Sequence, residues 1–313
     1  MGSVPRASIA VASGNRHNRT LECVEAIFSQ AGIESCEVIL IDGSPGDHSD
    51  LYARFPGIRY MRAINPGSVA VPRLEALKAA RAPLVLFLED HVEPQAGWLL
   101  AVLRAFESSE KIAMVNYVIA PTPGASYIYR SLQVMQYGHW MLPIESGPIT
   151  YACHQNLAYR RELVLQLAEE NFELFESEFL MHRRLLKDGW TLWLAADAVI
   201  DHENYSSLAT GCKGFFAFKQ LVGAGRAATH RWPRWKNWLW AAGMPLSAFV
   251  LIGRLARSIA PRPALWGEFL AALPVMIFAH GVGSFYEARG HLMGFEQCRK
   301  VFLDFESNVD RTA

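Results

Sequence analysis

Between Leu84 and Pro94 the chain reads L-V-L-F-L-E-D-H-V-E-P, and no other stretch limits the fold as tightly. After Pro83, Leu84 to Leu88 is an apolar run long enough for a strand buried on both faces, the kind found inside sheets covered by helices. It breaks within three residues into Glu89, Asp90 and His91. In open α/β sheets ligands sit beyond the carboxyl ends of the strands. Oxygen and nitrogen donors at such an end can hold a hard divalent cation against a phosphate. A capped, solvent-facing strand end looks the same from these residues alone, so the rest of the chain has to decide.

The preceding segments repeat the pattern. Ser8 to Ala12 reads as a first buried strand that runs into the polar turn Ser13-Gly14-Asn15-Arg16, with a helix from about Thr20 to Gln30. Glu37 to Ile41 is a second strand, ending in Asp42-Gly43-Ser44-Pro45. Asp42 there can accept hydrogen bonds from a ribose or a base, or serve as an Asx-turn residue. A short strand at Ile58 to Met61 and a helix from about Ser68 to Ala80 lead to the Leu84 strand. Strand–helix units with polar residues at the strand ends make a doubly wound, nucleotide-binding half. No G-x-G-x-x-G follows the first strand and no G-x-x-x-x-G-K-[ST] occurs, which disfavours a dinucleotide oxidoreductase and a P-loop NTPase.

Lys plus Arg and Asp plus Glu are both 30, so net charge gives no footprint for a nucleic-acid partner. Cys23, Cys36, Cys153, Cys212 and Cys298 form no C-x-x-C pair, which fits a reducing compartment better than a disulfide or zinc scaffold. The first residues carry no signal-peptide apolar core, which places the first two-thirds on the cytosolic side. Past about Tyr205 to His230 the composition turns to Trp, Leu, Ala and Arg. The expected division is therefore 1–205, with a nucleotide-binding half of about 1–110 and an acceptor half of about 111–205, followed by a helical region, 206–313.

Several motifs then resemble the family 2 glycosyltransferases, whose fold is GT-A, a Rossmann-like mixed sheet of the nucleotide-diphospho-sugar transferases. Asn15-Arg16 followed by Gln30 is similar to the family's first-strand loop and helix, and Asp42 falls where the family places a nucleoside-binding aspartate. Arg73, in P-R-L-E-A-L-K-A-A, resembles the arginine of A-R-N-x-G-x-x-A, with Leu74 and Ala76 replacing the usual Asn and Gly. Glu89-Asp90-His91 falls on the D-x-D metal motif as E-x-H; polypeptide N-acetylgalactosaminyltransferases show D-x-H there. Cys153 to Arg161 resembles G-x-N-x-A-x-R-R, with His154 where Gly is usual. Phe172 to Gly189 resembles the F-D-E…E-D…R-L…G block, with Glu178 at the position of the base, and Asp197 to His202 follows the pattern x-A-x-V-x-H.

The resemblance implies an inverting, metal-dependent enzyme of hexosyltransferase type. Glu89, His91 and His202 would hold Mn²⁺ or Mg²⁺, manganese being favoured by imidazole. Ser13, Asn15, Arg16, Asp42 and Arg73 would hold the nucleotide-sugar donor, with Glu89 and Asp90 near the sugar or ribose. Glu178, ahead of Glu176, would be the base, and His154, Asn156 and Trp190 would face the acceptor. A nucleotide leaving group carries developing negative charge, which a bound divalent ion stabilises without proton transfer. Two other readings stay open: a sugar-phosphate nucleotidylyltransferase, and an inactive GT-A-like membrane scaffold.

In the tail, Trp232 to Trp240 interleaves tryptophan with basic residues, the composition of a membrane interface. Leu239 to Ile252 is apolar but is followed by Arg254 and Arg257, short of the ~20 residues a spanning helix needs. Phe269 to Phe285 is a second apolar run, and Glu287 to Gly294 resembles the G-E-x-x-G-Y-x-x-G ending of membrane-linked, bacterial-type members. The expectation is a peripheral or re-entrant association with the cytoplasmic face of the inner (cell) membrane, serving a lipid-linked or glycan acceptor in polysaccharide synthesis.

Overall fold

The computed structural model describes residues 4–14, 16–43, 49–63, 68, 70–152, 155–176 and 178–308. In chain order they form β1 (Ser8–Ser13), α1 (His17–Phe28), β2 (Glu37–Asp42), α2 (Ser49–Arg54), β3 (Ile58–Arg62), α3 (Ala70–Ala79), β4 (Leu84–Glu89), β5 (Val92–Pro94), α4 (Trp98–Ser108) and β6 (Ile112–Ile119). Next come α5 (Tyr127–Tyr137), β7 (Gly147–Ile149), β8 (Leu157–Arg160), α6 (Arg161–Glu170), α7 (Phe172–Glu176), α8 (Glu178–Lys187) and β9 (Thr191–His202). The chain closes with α9 (Leu208–His230), α10 (Arg234–Gly243), α11 (Ser247–Ile259), α12 (Trp266–Leu292) and α13 (Phe295–Asn308).

These elements make two compact units, Met1–Ala120 with Ile144–His202, and Pro121–Pro143 with Glu203–Ala313. The first is built on a nine-stranded mixed sheet of order β3-β2-β1-β4-β8-β6-β9-β5, with β7 paired to β9. β1, β2 and β4 read S-I-A-V-A-S, E-V-I-L-I-D and L-V-L-F-L-E, and their apolar residues except half-buried Ala12 are buried, as interior parallel strands require. β1 pairs in parallel with β2 on one side and β4 on the other. Chain order therefore reverses between β1 and β4, and a crevice opens outside their carboxyl ends. β8 runs antiparallel to β4 and β6, whereas β6 and β9 are parallel.

One expectation needs correction. Trp190 to Leu194 and Ala198 to Ile200 read as separate strands, yet Thr191–His202 is continuous. The intervening Ala195-Ala196-Asp197 lacks strand character. The strand is held on either side of this stretch: β7 pairs with residues 192–194 and β5 with residues 200–202, and against β6 the extra residues of β9 bulge between Leu194 and Val199.

In the second unit α5 is bound to α12 by the Tyr127 hydroxyl, which donates to the Ala271 carbonyl at 2.9 Å, and by Arg130–Glu268 at 2.8 Å. This is why Pro121–Pro143, expected with the sheet, groups with the C-terminal helices. α9 and α12 cross at two glycines. A Cβ at Gly223 would lie 2.1 Å from the Glu287 carbonyl oxygen, and one at Gly290 would lie 2.0 Å from that of Gln220, so only glycine permits this approach. Beside the crossing, buried Glu287 takes ion pairs from buried Lys219 and from Arg226.

α10 and α11 are joined through a short 3₁₀ turn, so Arg234–Ile259 is a helical run of 26 residues; Pro263–Leu292 is a second of 30. Both are long and apolar enough to cross a membrane by length and composition. The apolar stretch from Leu239 is thus longer in space than in sequence. Arg254 and Arg257 sit on the exposed face and do not interrupt the helix.

Candidate active site

β4 ends at Glu89, two residues turn the chain, and β5 returns antiparallel to β9 with Val92 opposite His202. That register is what brings His91 to His202 across 111 residues of chain: their ring centroids are 4.8 Å apart and the rings are nearly perpendicular, at 87°. The Glu89 carboxylate joins them. Its Oε2 lies 3.2 Å from His202 Nε2 and 3.8 Å from His91 Nε2. The three donor atoms fall within 4.8 Å of one another. Both imidazoles are 1% exposed and the carboxylate 19%, so the cluster opens to solvent on the glutamate side. One carboxylate oxygen and two imidazole nitrogens, converging at the end of parallel strands, fit a first-row divalent cation.

Asp90, between the two candidate ligands, turns into the protein and is fully buried. Its oxygens accept from Gly14 N at 2.8 Å, from Arg16 Nη2 at 2.9 Å and Nε at 3.1 Å, and lie 3.0 Å from His91 Nδ1. Burial would raise its pKa, but the Arg16 charge and the His91 contact outweigh it and hold the carboxyl at about 2. The expected contact with sugar or ribose is thus replaced by contacts within the chain. Arg16, expected on the donor, is likewise engaged by Asp90. Asn156, expected on the acceptor side, grips Glu89 from both ends. Its Oδ1 accepts from the Glu89 backbone at 2.9 Å and its Nδ2 donates to the carboxylate at 2.6 Å.

The base candidate Glu178 opens α8 and is 5% exposed. It pairs with Arg73 of α3 and accepts from the Gln155 backbone N–H at 3.0 Å. Gln155 sits at φ 73°, a left-handed conformation uncommon outside glycine. That turn directs the N–H of one residue to Glu178 while the side chain of the next holds Glu89. Arg73 is buried, its guanidinium 4.5 Å from the centroid of Phe87 and 5.8 Å from that of Phe175. Burial would lower its pKa, but the adjacent Glu178 charge outweighs this and raises it, so the guanidinium stays charged. Glu176 accepts from the Ser68 hydroxyl.

Asp42, at the end of β2, is fully buried and accepts from the Tyr60 hydroxyl and from Arg62 Nη1, each at 2.5 Å. Sequence reasoning missed both partners, although their i, i+2 spacing on β3 marks them as sharing a sheet face. Ser13 bonds Thr20 Oγ1 at 2.8 Å and so braces the turn into α1. Trp190 lies at the other end of β9 from His202, on the order of 35 Å along the strand, and packs against the main core. Asn15 and His154 lie outside the described residues.

Comparison with known proteins bears on the family and the fold. No curated protein matches the chain in sequence. Among solved structures, GalNAc-T7 with UDP, GalNAc and Mn²⁺ is 13% identical with a TM-score of 0.50; the match covers 74% of this chain, which spans only 52% of that protein. The mannosyltransferase PcManGT from Pyrobaculum calidifontis, in complex with GDP-Man and Mn²⁺, is 16% identical with a TM-score of 0.58, covering 92% of this chain and 86% of its own. At these identities the likeness is one of fold, and that fold is GT-A. The model of the family described as "Glycosyl transferase family 2" matches residues 8–168, from β1 into α6 and more than half of the chain. The protein is therefore a glycosyltransferase, a member of glycosyl transferase family 2.

Proposed function

We propose that this enzyme moves a sugar from a nucleotide-sugar donor to a hydroxyl acceptor, with inversion and with Mn²⁺ as the preferred metal. The observation that carries the proposal is the convergence of Glu89, His91 and His202 at the strand-order reversal. These three residues would hold the ion, which when bound supplies positive charge to the departing diphosphate. Asn156 fixes the Glu89 carboxylate by gripping its backbone as well as its side chain. Asp42, with Tyr60 and Arg62, forms the polar end of β2 where the nucleoside would rest. Glu178 would take the acceptor proton. Arg73, expected on the nucleotide, supports the base from its buried position against it.

A thermal-shift panel of nucleotides and sugar nucleotides, with and without Mn²⁺, tests this. One nucleoside diphosphate is expected to raise Tm only when Mn²⁺ is present, corresponding to about 2.7 kcal/mol at a hundredfold excess over Kd, and His91→Ala is expected to abolish the effect. If no nucleotide shifts Tm under any metal, the proposal is wrong.

The acceptor is proposed to be lipid-linked or membrane-proximal, reached at the cytoplasmic face of the cell membrane. Trp235, Trp238, Leu239, Leu246 and Phe249 of the α10–α11 run are exposed, and Phe249 also lines an apolar groove with Ile252, Ile277 and Phe285. Residues 204–267 contain no Asp or Glu but nine Lys and Arg, a composition drawn to anionic lipid. The full chain is expected to sediment with vesicles containing phosphatidylglycerol and far less with pure phosphatidylcholine. Trp238→Ser combined with Phe249→Ser should release it. Indifference to lipid in both vesicle types would argue for a soluble acceptor.

A further inference from the structure

Asp90 stands between two candidate ligands yet is turned away from them, buried, with its two oxygens taken up by Gly14, Arg16 and His91 Nδ1. An isolated buried carboxylate is costly by several kcal/mol, and this one is compensated from three directions. Gly14 N and the Arg16 guanidinium come from the turn after β1, and His91 Nδ1 from the next residue. The last contact has a chemical consequence. A ring N–H directed at a carboxylate must be carried on Nδ1, which leaves the lone pair on Nε2. Nε2 is the His91 atom that faces Glu89 Oε2 at 3.8 Å. Metal-binding histidines generally donate their other N–H in this way, and the partner orients the ring and raises its basicity.

We propose that Asp90, anchored by Arg16, is a positioning residue that fixes the tautomer and ring direction of His91 for metal binding. Arg16 thereby tethers the β1 turn to the metal site rather than serving as a donor contact. The inference rests on the assignment of Glu89, His91 and His202 as metal ligands. It adds that the site is preorganised before any ion or nucleotide arrives.

The test has two readouts on the full-length chain. The first is the ¹⁵N NMR tautomer of His91 without metal, assigned by its loss in His91→Ala. Wild type is expected to show the Nδ1–H form, and Asp90→Asn, whose amide can donate to Nδ1, to shift it toward Nε2–H. The second is Mn²⁺ affinity without nucleotide, followed by the loss of the free-ion electron paramagnetic resonance signal. Asp90→Asn is expected to weaken binding by about 10- to 100-fold. If that variant does not fold, Arg16→Gln replaces it and is expected to weaken Mn²⁺ binding at least threefold. Wild type with the Nε2–H tautomer, or a folded variant that binds Mn²⁺ within twofold of wild type, overturns the positioning role while leaving the metal site in place. Wild type that shows no Mn²⁺ binding at all overturns both.

Discussion

Replacing Glu178 by glutamine is expected to lower sugar transfer by about 100- to 10,000-fold, the usual contribution of a positioned general base, while metal-dependent donor binding persists. The carboxylate begins α8, is almost fully buried, and is aimed by two fixed groups, the Gln155 N–H and the Arg73 guanidinium. Glutamine preserves the shape but leaves Arg73 charged and unbalanced in the interior, a loss on the order of 3–5 kcal/mol when one member of a buried pair is removed. Melting must therefore be measured alongside turnover. Glu178→Asp separates the two effects. It keeps the charge opposite Arg73 yet withdraws the oxygen by one methylene, and a displacement of about 1 Å can cost 100-fold in rate. Transfer should fall in both variants, and stability mainly in the first. If Glu178→Gln retains more than a tenth of wild-type turnover, the base is not Glu178. Glu176, held by the Ser68 hydroxyl, then becomes the residue to replace.

The second large effect lies far from the chemistry in sequence. Lys219→Ala is expected to destabilise the helical unit by about 3–5 kcal/mol, because Glu287 is 2% exposed and, among the described residues, is left with Arg226, at 2.8 Å, as its ionic partner. Glu287→Ala should cost at least as much, since it strands the buried lysine and frees Arg226. The double variant Lys219→Met with Glu287→Leu removes the charges together, and such apolar replacements are often neutral or stabilising. The cycle therefore predicts strong non-additivity, measured as Tm or as denaturant midpoint with unchanged slope. Additive losses would mean that the two residues do not act as a pair.

The chain declared its sheet more openly than its site. β1, β2 and β4 could be read because each is built on an unbroken apolar run. β9 could not, since Ala195 to Asp197 has no local preference for a strand and lies between two segments, 191–194 and 199–202, that neighbouring strands pair on either side of it. The chemical types at the crevice were legible from the polar breaks after β2 and β4. Their partnerships were not. Nothing local says that Asp90 faces inward, that Asn156 grips Glu89 from 67 residues away, or that Arg62 and Tyr60 close over Asp42. Such pairings are set by sheet order and register, which are properties of the assembled fold. In the tail, a count of apolar residues halted at Arg254, whereas a helix can hold an arginine on its outer face and continue.

The bend between β4 and β5 is only two residues long, and β5 meets β9 in the register Val92↔His202. Sheet faces alternate with every residue. One residue added to this bend, or taken from it, would turn His91 away from His202 or slide β5 off its pairing. Exchanging one side chain for another, as in the E-x-H that resembles the family's D-x-D, leaves this register intact. A bend of any other length would part the three side chains proposed to hold the metal, and with them the chemistry proposed for this corner.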